Sequence, residues 1–131
     1  CAAGLKYIEV MEREDLCSHV REVGPYFEEQ LQTLREYPIV GDVRGSHFMM
    51  CIENVADRET KELLPVEAAI GERIAKGCQR RGVIVRPLAH LNVLSPPLIL
   101  ERAQIDTMVT VLHESIRETM NDLVREGLWQ G

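Results

Sequence analysis

The run Gly82-Val-Ile-Val-Arg86-Pro87-Leu88-Ala-His90-Leu-Asn92-Val-Leu-Ser95-Pro96-Pro97-Leu98 leaves the chain few ways to fold. A glycine followed by β-branched residues predicts a short strand over Val83 to Arg86. Pro87 has no N–H to give a ladder and stops it. A second short apolar run predicts another strand at Asn92 to Leu94, and a double proline closes it. The layout delivers one guanidinium, Arg86, to a fixed point on a rigid scaffold. Guanidinium is a planar fork that meets a carboxylate through two parallel hydrogen bonds. Arg86 therefore reads as an anion-recognising arginine, with a carboxylate as its partner. A plain surface arginine at a strand end is the commoner reading of the same residues.

The flanking segments are helical. Leu16, Val20, Val23, Phe27, Leu31 and Leu34 repeat at helix spacing with charges between them, and Leu5 and Ile8 start an earlier piece. The pattern predicts a helix from Ala2 to Met11, a break near Glu14 and Asp15, and a second helix to Glu36. Pro25 should kink that helix, and Tyr37-Pro38 should end it. Val66, Ile70, Ile74 and Cys78 predict a helix over 66–81 with Gly82 as its stop. Ile105, Met108, Val109, Leu112, Ile116, Met120 and Leu123 predict a long final helix from Arg102. Between these lie two strands expected to join through Gly45. Phe48, Met50 and Ile52 should face one side, and His47, Met49 and Cys51 the other. The second of the two carries few charges and belongs inside the sheet. Residues 56–65 read as a polar loop. The element order gives an α+β fold: a small, mostly antiparallel sheet of three to four strands covered by helices, with long helices at both ends.

A chain of 131 residues suffices for one domain with a core. Its net charge of −6 argues against nucleic acid, whose phosphates need clustered Lys and Arg. The longest uncharged stretch, 87–100, carries His, Asn, Ser and three prolines and cannot span a bilayer. The expectation is no nucleic-acid and no membrane partner. Cys1, Cys17, Cys51 and Cys78 form no C-x-x-C pair, so a reducing, cytoplasmic setting is expected, with Cys51 and Cys78 as small core groups. The opening Cys1-Ala2-Ala3-Gly4-Leu5 has no initiator methionine and reads as already helical. The chain is expected to be part of a longer protein.

Catalytic signals are sparse. Cys17 and His19 could ligate a metal, but no second pair lies near them, so no metal site is expected. His113 reads as solvated, and His47 as a strand histidine satisfied by its neighbours. Cys1 as an autoprocessed nucleophile or lipid-bearing residue would need a strand start or a tether, and neither follows it. No phosphate loop, G-x-S-x-G or H-E-x-x-H occurs. Lys6, Lys61 and Lys76 sit in ordinary polar surroundings, without the desolvation that Schiff-base chemistry needs.

Three blocks together resemble the C-terminal part of the class III aminotransferases, the pyridoxal-phosphate-dependent ω-transaminases of fold type I. They are Val40-Gly-Asp42-Val-Arg44-Gly45 with the strand after it, Gly82-Val-Ile-Val-Arg86-Pro87-Leu88, and Leu94-Ser95-Pro96-Pro97-Leu98 leading into Gln104-Ile105-Asp106. The opening Cys1-Ala2-Ala3-Gly4-Leu5 resembles that family's small-residue helix start. The resemblance implies that residues 1–131 form one domain, the C-terminal small domain of a longer enzyme whose large domain lies upstream. That enzyme would move an amino group between an amine or amino acid and a keto acid, as a homodimer or higher oligomer. It implies that Arg86 meets the substrate carboxylate and swings aside for substrates without one, and that Leu88 walls the pocket. The cofactor-holding residues would lie in the large domain, so no bound cofactor and no activity are expected of this part alone. His47 stands where the family usually has glycine, and Glu101 where it usually has a Ser or Thr helix cap. A stand-alone carboxylate-binding or regulatory module, or a pure interaction domain, are the competing readings.

Overall fold

The computed structural model describes residues 1–131. Helix α1 spans Ala2–Arg13 and α2 spans Leu16–Gln32. They part at Asp15, which sits in the left-handed region at φ 48°. Pro25 lies inside α2, and the helix runs through it. It then tightens into a 3-10 turn, Thr33–Glu36, in place of the α-helix expected to Glu36. Strands β1 (Val40–Ser46) and β2 (Met49–Asn54), helix α3 (Ile70–Arg80), strands β3 (Arg86–Leu88) and β4 (Leu91–Leu94), and helix α4 (Arg102–Arg125) follow. The four strands are antiparallel in the order β1-β2-β4-β3, so β2 is central and β3 is an edge.

The period-2 alternation places Val43, Met50, Ile52, Asn92 and Leu94 on one face, all buried. There they join Phe27 and Leu31 of α2, Ile74 of α3, and Ile105, Leu112 and Ile116 of α4 in one core. The other face carries Arg44, Cys51, Glu53, Val93, Arg86 and Leu88. The expected sidedness of Met50 and Ile52 holds, and Phe48 is buried with them, but Phe48 lies in the turn before β2.

Four expectations fail for identifiable reasons. The β1–β2 strands join through His47 and Phe48, since Ser46 pairs with Met49. Gly45 lies within β1 at φ 137°, where a Cβ would sit 2.1 Å from the Met49 carbonyl oxygen. The helix predicted over 66–81 starts only at Ile70. Val66–Ala68 is a 3-10 turn ending at Ala69, which has φ 43°, so the four-residue apolar spacing crossed a break in the backbone. Val83 and Val85 are buried and Ile84 is exposed, but the segment pairs with no strand, and the strand begins at Arg86. The register is set by the two-residue turn between Leu88 and Leu91, and β4 ends at Leu94 before the double proline. Cys51 lies half-buried on the outward face, away from the core that holds Cys78.

Helix α1 buries none of its residues, leaving Leu5, Tyr7 and Ile8 exposed. No helix is long and apolar enough to cross a membrane.

Candidate functional site

Arg86 opens β3, and a dense set of backbone contacts fixes that hairpin. The hairpin turn is Ala89-His90, with Ala89 held at φ 52°. Two buried asparagines clamp it. Asn54 Nδ2 donates to the His90 carbonyl (2.7 Å) and to Asn92 Oδ1 (3.0 Å). Asn92 Nδ2 donates to the Gly71 carbonyl at 2.9 Å, tying the hairpin to the first turn of α3. The approach is close enough that a Cβ on Gly71 would lie 2.4 Å from the Ala89 carbonyl oxygen. These bonds satisfy both amide nitrogens and Asn92 Oδ1, which burial would otherwise penalise, and leave Asn54 Oδ1 buried without a partner. They hold the three-residue strand in one position although a ladder this short is weak alone.

The outward face of the sheet shows how differently its arginines are used. Arg44, Cys51, Val93 and Arg86 form one cross-strand row. Arg44 is bound to Glu53 at 2.6 Å and lies 3.5 Å from Asp42, which also pairs with Arg35. Hydrogen bonding to Glu53 holds the Arg44 guanidinium in its charged form. Arg86, at the other end of the row, has no hydrogen bond, ion pair or aromatic partner. Each of the other fourteen basic side chains has one: Arg58, for example, donates to the carbonyls of Val40, Arg35 and Tyr37, and Arg102 lies 4.8 Å from the centre of the Tyr26 ring.

Arg86 lines a groove of about 680 Å³ between the end of the β3–β4 hairpin, the 95–100 loop and the start of α4. That volume suits a small-molecule ligand. Ile84, Ile99 and Met108 supply apolar wall, and Gln104 and Thr107 supply polar groups. Sequence reasoning missed all five. Ile84 lies in the connector before β3, Ile99 in the double-proline loop, and Gln104, Thr107 and Met108 at the start of α4, so only the tertiary fold brings them together. Leu88 shares the outward face of β3 with Arg86 and is 55% exposed, but it lies toward the turn and does not line this groove.

The remaining candidates have structural uses. His113 is half-buried, its ring nitrogens bonded to Thr33 Oγ1 (2.9 Å) and Tyr37 Oη (3.0 Å), so it is not the solvated histidine expected. Burial at the junction of α4 with the 3-10 turn withdraws it from water. His47 adopts φ 50°, the region a glycine would favour, and is held there by its backbone N–H to Glu28 and by Ser46 Oγ at 2.7 Å. His19 Nε2 meets the Leu100 carbonyl at 2.9 Å, and no cluster of His, Cys, Asp and Glu is grouped to hold a metal ion. Burial pushes the Cys78 and Cys51 thiols up, away from the reactive thiolate.

The fit to pyridoxal phosphate fails on this chain's own residues. Lys6 pairs with Glu9 at 2.6 Å, Lys76 pairs with Glu72 at 3.2 Å, and Lys61 donates to the Gly41 carbonyl at 3.3 Å. All three are exposed, and none lines the groove.

A fold of this kind carrying a strand-end arginine has clear relatives. The family description "Aminotransferase class-III" matches residues 1–116. An uncharacterized aminotransferase, y4uB, of Sinorhizobium fredii is 38% identical over 129 residues, covering 96% of this chain and 28% of the relative. The adenosylmethionine-8-amino-7-oxononanoate aminotransferase of Methanocaldococcus jannaschii is 36% identical over 118 residues, covering 90% of this chain and 26% of the relative. Among solved structures, the omega-transferase of Vibrio fluvialis JS17 superposes with a TM-score of 0.91 at 38% identity, covering 95% of this chain and 30% of that one. The PMP-bound form of an aminotransferase from Vibrio fluvialis gives 0.88 at 39% identity, covering 92% and 27%. The chain belongs to the class III aminotransferases. It spans between a quarter and a third of the length of these relatives.

Proposed function

We propose that residues 1–131 form the C-terminal small domain of a longer, pyridoxal-phosphate-dependent aminotransferase, and that Arg86 receives the carboxylate of its substrate. The whole enzyme transfers an amino group between an amine or amino acid and a keto acid. One observation carries the role of Arg86: it is the single basic side chain with no partner, on a clamped hairpin, at the wall of a ligand-sized groove. An uncommitted guanidinium breaks no ion pair when it meets an anion, so its bond to a carboxylate is not offset by a lost one. Leu88 stands beside Arg86 on the same strand face, outside the groove lining, where the family likeness would have it wall the substrate. The residues that hold the cofactor belong to the remainder of the enzyme, and this part alone is inactive. The enzyme works in the cytoplasm as a homodimer or higher oligomer, a reading that rests on family likeness and on the cysteine pattern.

The test is Arg86→Ala in the full-length enzyme, with the two half-reactions measured separately. A charge-assisted hydrogen bond contributes about 1.5–3 kcal/mol, so kcat/KM for keto acids should fall on the order of tenfold to a hundredfold. The half-reaction with an amine lacking a carboxylate should be spared. Equal losses in both would assign Arg86 a structural role.

A further inference from the structure

The charge pattern around the groove bears on which acid it takes. Arg86 is the only charged residue among the fourteen that line it. The polar groups in the groove are neutral: Gln104 Oε1 accepts from the Glu101 backbone N–H at 2.9 Å, the Thr107 hydroxyl donates to the Ala103 carbonyl at 3.0 Å, and the Ser95 hydroxyl and Gln104 Nε2 remain as uncharged donors. Ile84 and Ile99 are 89% and 63% exposed, so the walls away from Arg86 are open apolar surface. Beyond the groove, the sheet face offers no second cation. Arg44 is closed on Glu53 and Asp42, Arg35 on Asp42, and His90 Nε2 lies 3.5 Å from Glu53. Arg102 is spent on the Tyr26 ring.

A ligand with one carboxylate and an apolar body would satisfy this surface throughout. Its anion meets Arg86, and its hydrocarbon covers Ile84, Ile99 and Met108, gaining the free energy of apolar burial. A second carboxylate would lie against hydrocarbon and neutral polar groups, stripped of part of its hydration and facing no second cation. We infer that the groove selects monocarboxylates with an uncharged, apolar body over dicarboxylates. The inference rests on the reading of Arg86 as the carboxylate-receiving group.

The experiment measures inhibition of the full-length enzyme at pH 7 by hexanoate and, separately, adipate. These acids have equal carbon number and differ in the second carboxylate. The readout is the inhibition constant of each acid against the keto-acid half-reaction in the wild type and in each variant. Hexanoate should bind at least about tenfold more tightly, the factor expected when one charged group is left unpaired. Arg86→Ala should abolish binding of both. Ile99→Arg, which adds a guanidinium at an exposed position, should tighten adipate more than hexanoate. Equal affinity for the two acids, each lost in Arg86→Ala, would overturn the selectivity while leaving Arg86 as a carboxylate site. Inhibition that survives Arg86→Ala would overturn the reading of Arg86 itself, and no inhibition of the full-length enzyme by either acid would overturn both.

Discussion

Leu88→Glu should silence Arg86 without touching it. Leu88 is two residues along β3 and on the same face, so a carboxylate there would lie beside the guanidinium. The same sheet already contains this arrangement: Asp42 and Arg44 are two apart on β1 and approach to 3.5 Å. Leu88 is 55% exposed, so the fold should tolerate the change. An exposed ion pair is worth about 0.2–1 kcal/mol, and an incoming carboxylate must break it. It also meets a like charge about 7 Å away, which costs about 0.6 kcal/mol at the dielectric constant of water and about 2.4 kcal/mol at an effective value near 20. Together these weaken carboxylate substrates by roughly 1–3 kcal/mol, or about fivefold to a hundredfold in kcat/KM. Leu88→Gln is the control, since it removes the same apolar surface and adds no charge. The assay compares keto-acid kcat/KM for both variants at low and high salt, with the carboxylate-free amine half-reaction alongside. The Glu effect should shrink as salt rises, because exposed charges are screened. If the two variants lose activity equally at every ionic strength, Leu88 acts by packing, and Arg86 is not free in the sense argued here.

Three further outcomes follow from the fold. Gly71→Ala should destabilise the domain by up to about 2 kcal/mol, what is left of an overpacking cost of roughly 1–3 kcal/mol after a helix-propensity gain of about 1 kcal/mol; the inserted methyl would meet backbone oxygen at 2.4 Å, and a raised urea midpoint would refute it. Glu101→Thr should stabilise by about 0.5 kcal/mol, measured by denaturation, since Glu101 and Gln104 already form a capping box and threonine only replaces a poorer cap residue with a better one. Glu118 is held below its ordinary value of 4.5 chiefly by its hydrogen bond to Arg81. A carboxylate depressed by folding stabilises above its unfolded value and loses that contribution as pH falls through its folded value, so stability should decline from about pH 5 downward and Glu118→Gln should flatten that acid limb.

The helical stripes were legible because each is a local property. The set from Ile105 to Leu123 lies along one uninterrupted helix, and its predicted members Ile105, Leu112, Ile116 and Leu123 are all fully buried. The same rule misled at Val66, where Ala69 at φ 43° separates a 3-10 turn from α3 with no glycine to mark the break. Alternation read the sidedness of β2 correctly, and its lack of charge reflected a central position. It could not tell a paired strand from an unpaired connector at Val83 to Val85, whose alternate residues Val83 and Val85 are buried as a strand's would be. That distinction depends on how far β4 runs opposite them, which the double proline decides from outside the segment.

The site was half legible for a related reason. Arg44 and Arg86 look alike in sequence: each follows a valine and precedes a glycine or proline. The register puts them in one row on one face, where composition would treat them as equal charges. Their neighbours in the adjacent row separate them. That row runs Asp42, Glu53, Leu91, Leu88, so Arg44 stands beside two carboxylates and Arg86 beside two leucines. An arginine next to carboxylates is spent on structure, whereas one next to leucines keeps its donors for an incoming anion. The family pattern pointed to Arg86, but only the pairing of strands distant in sequence gives the physical reason that it, and not Arg44, is free to bind.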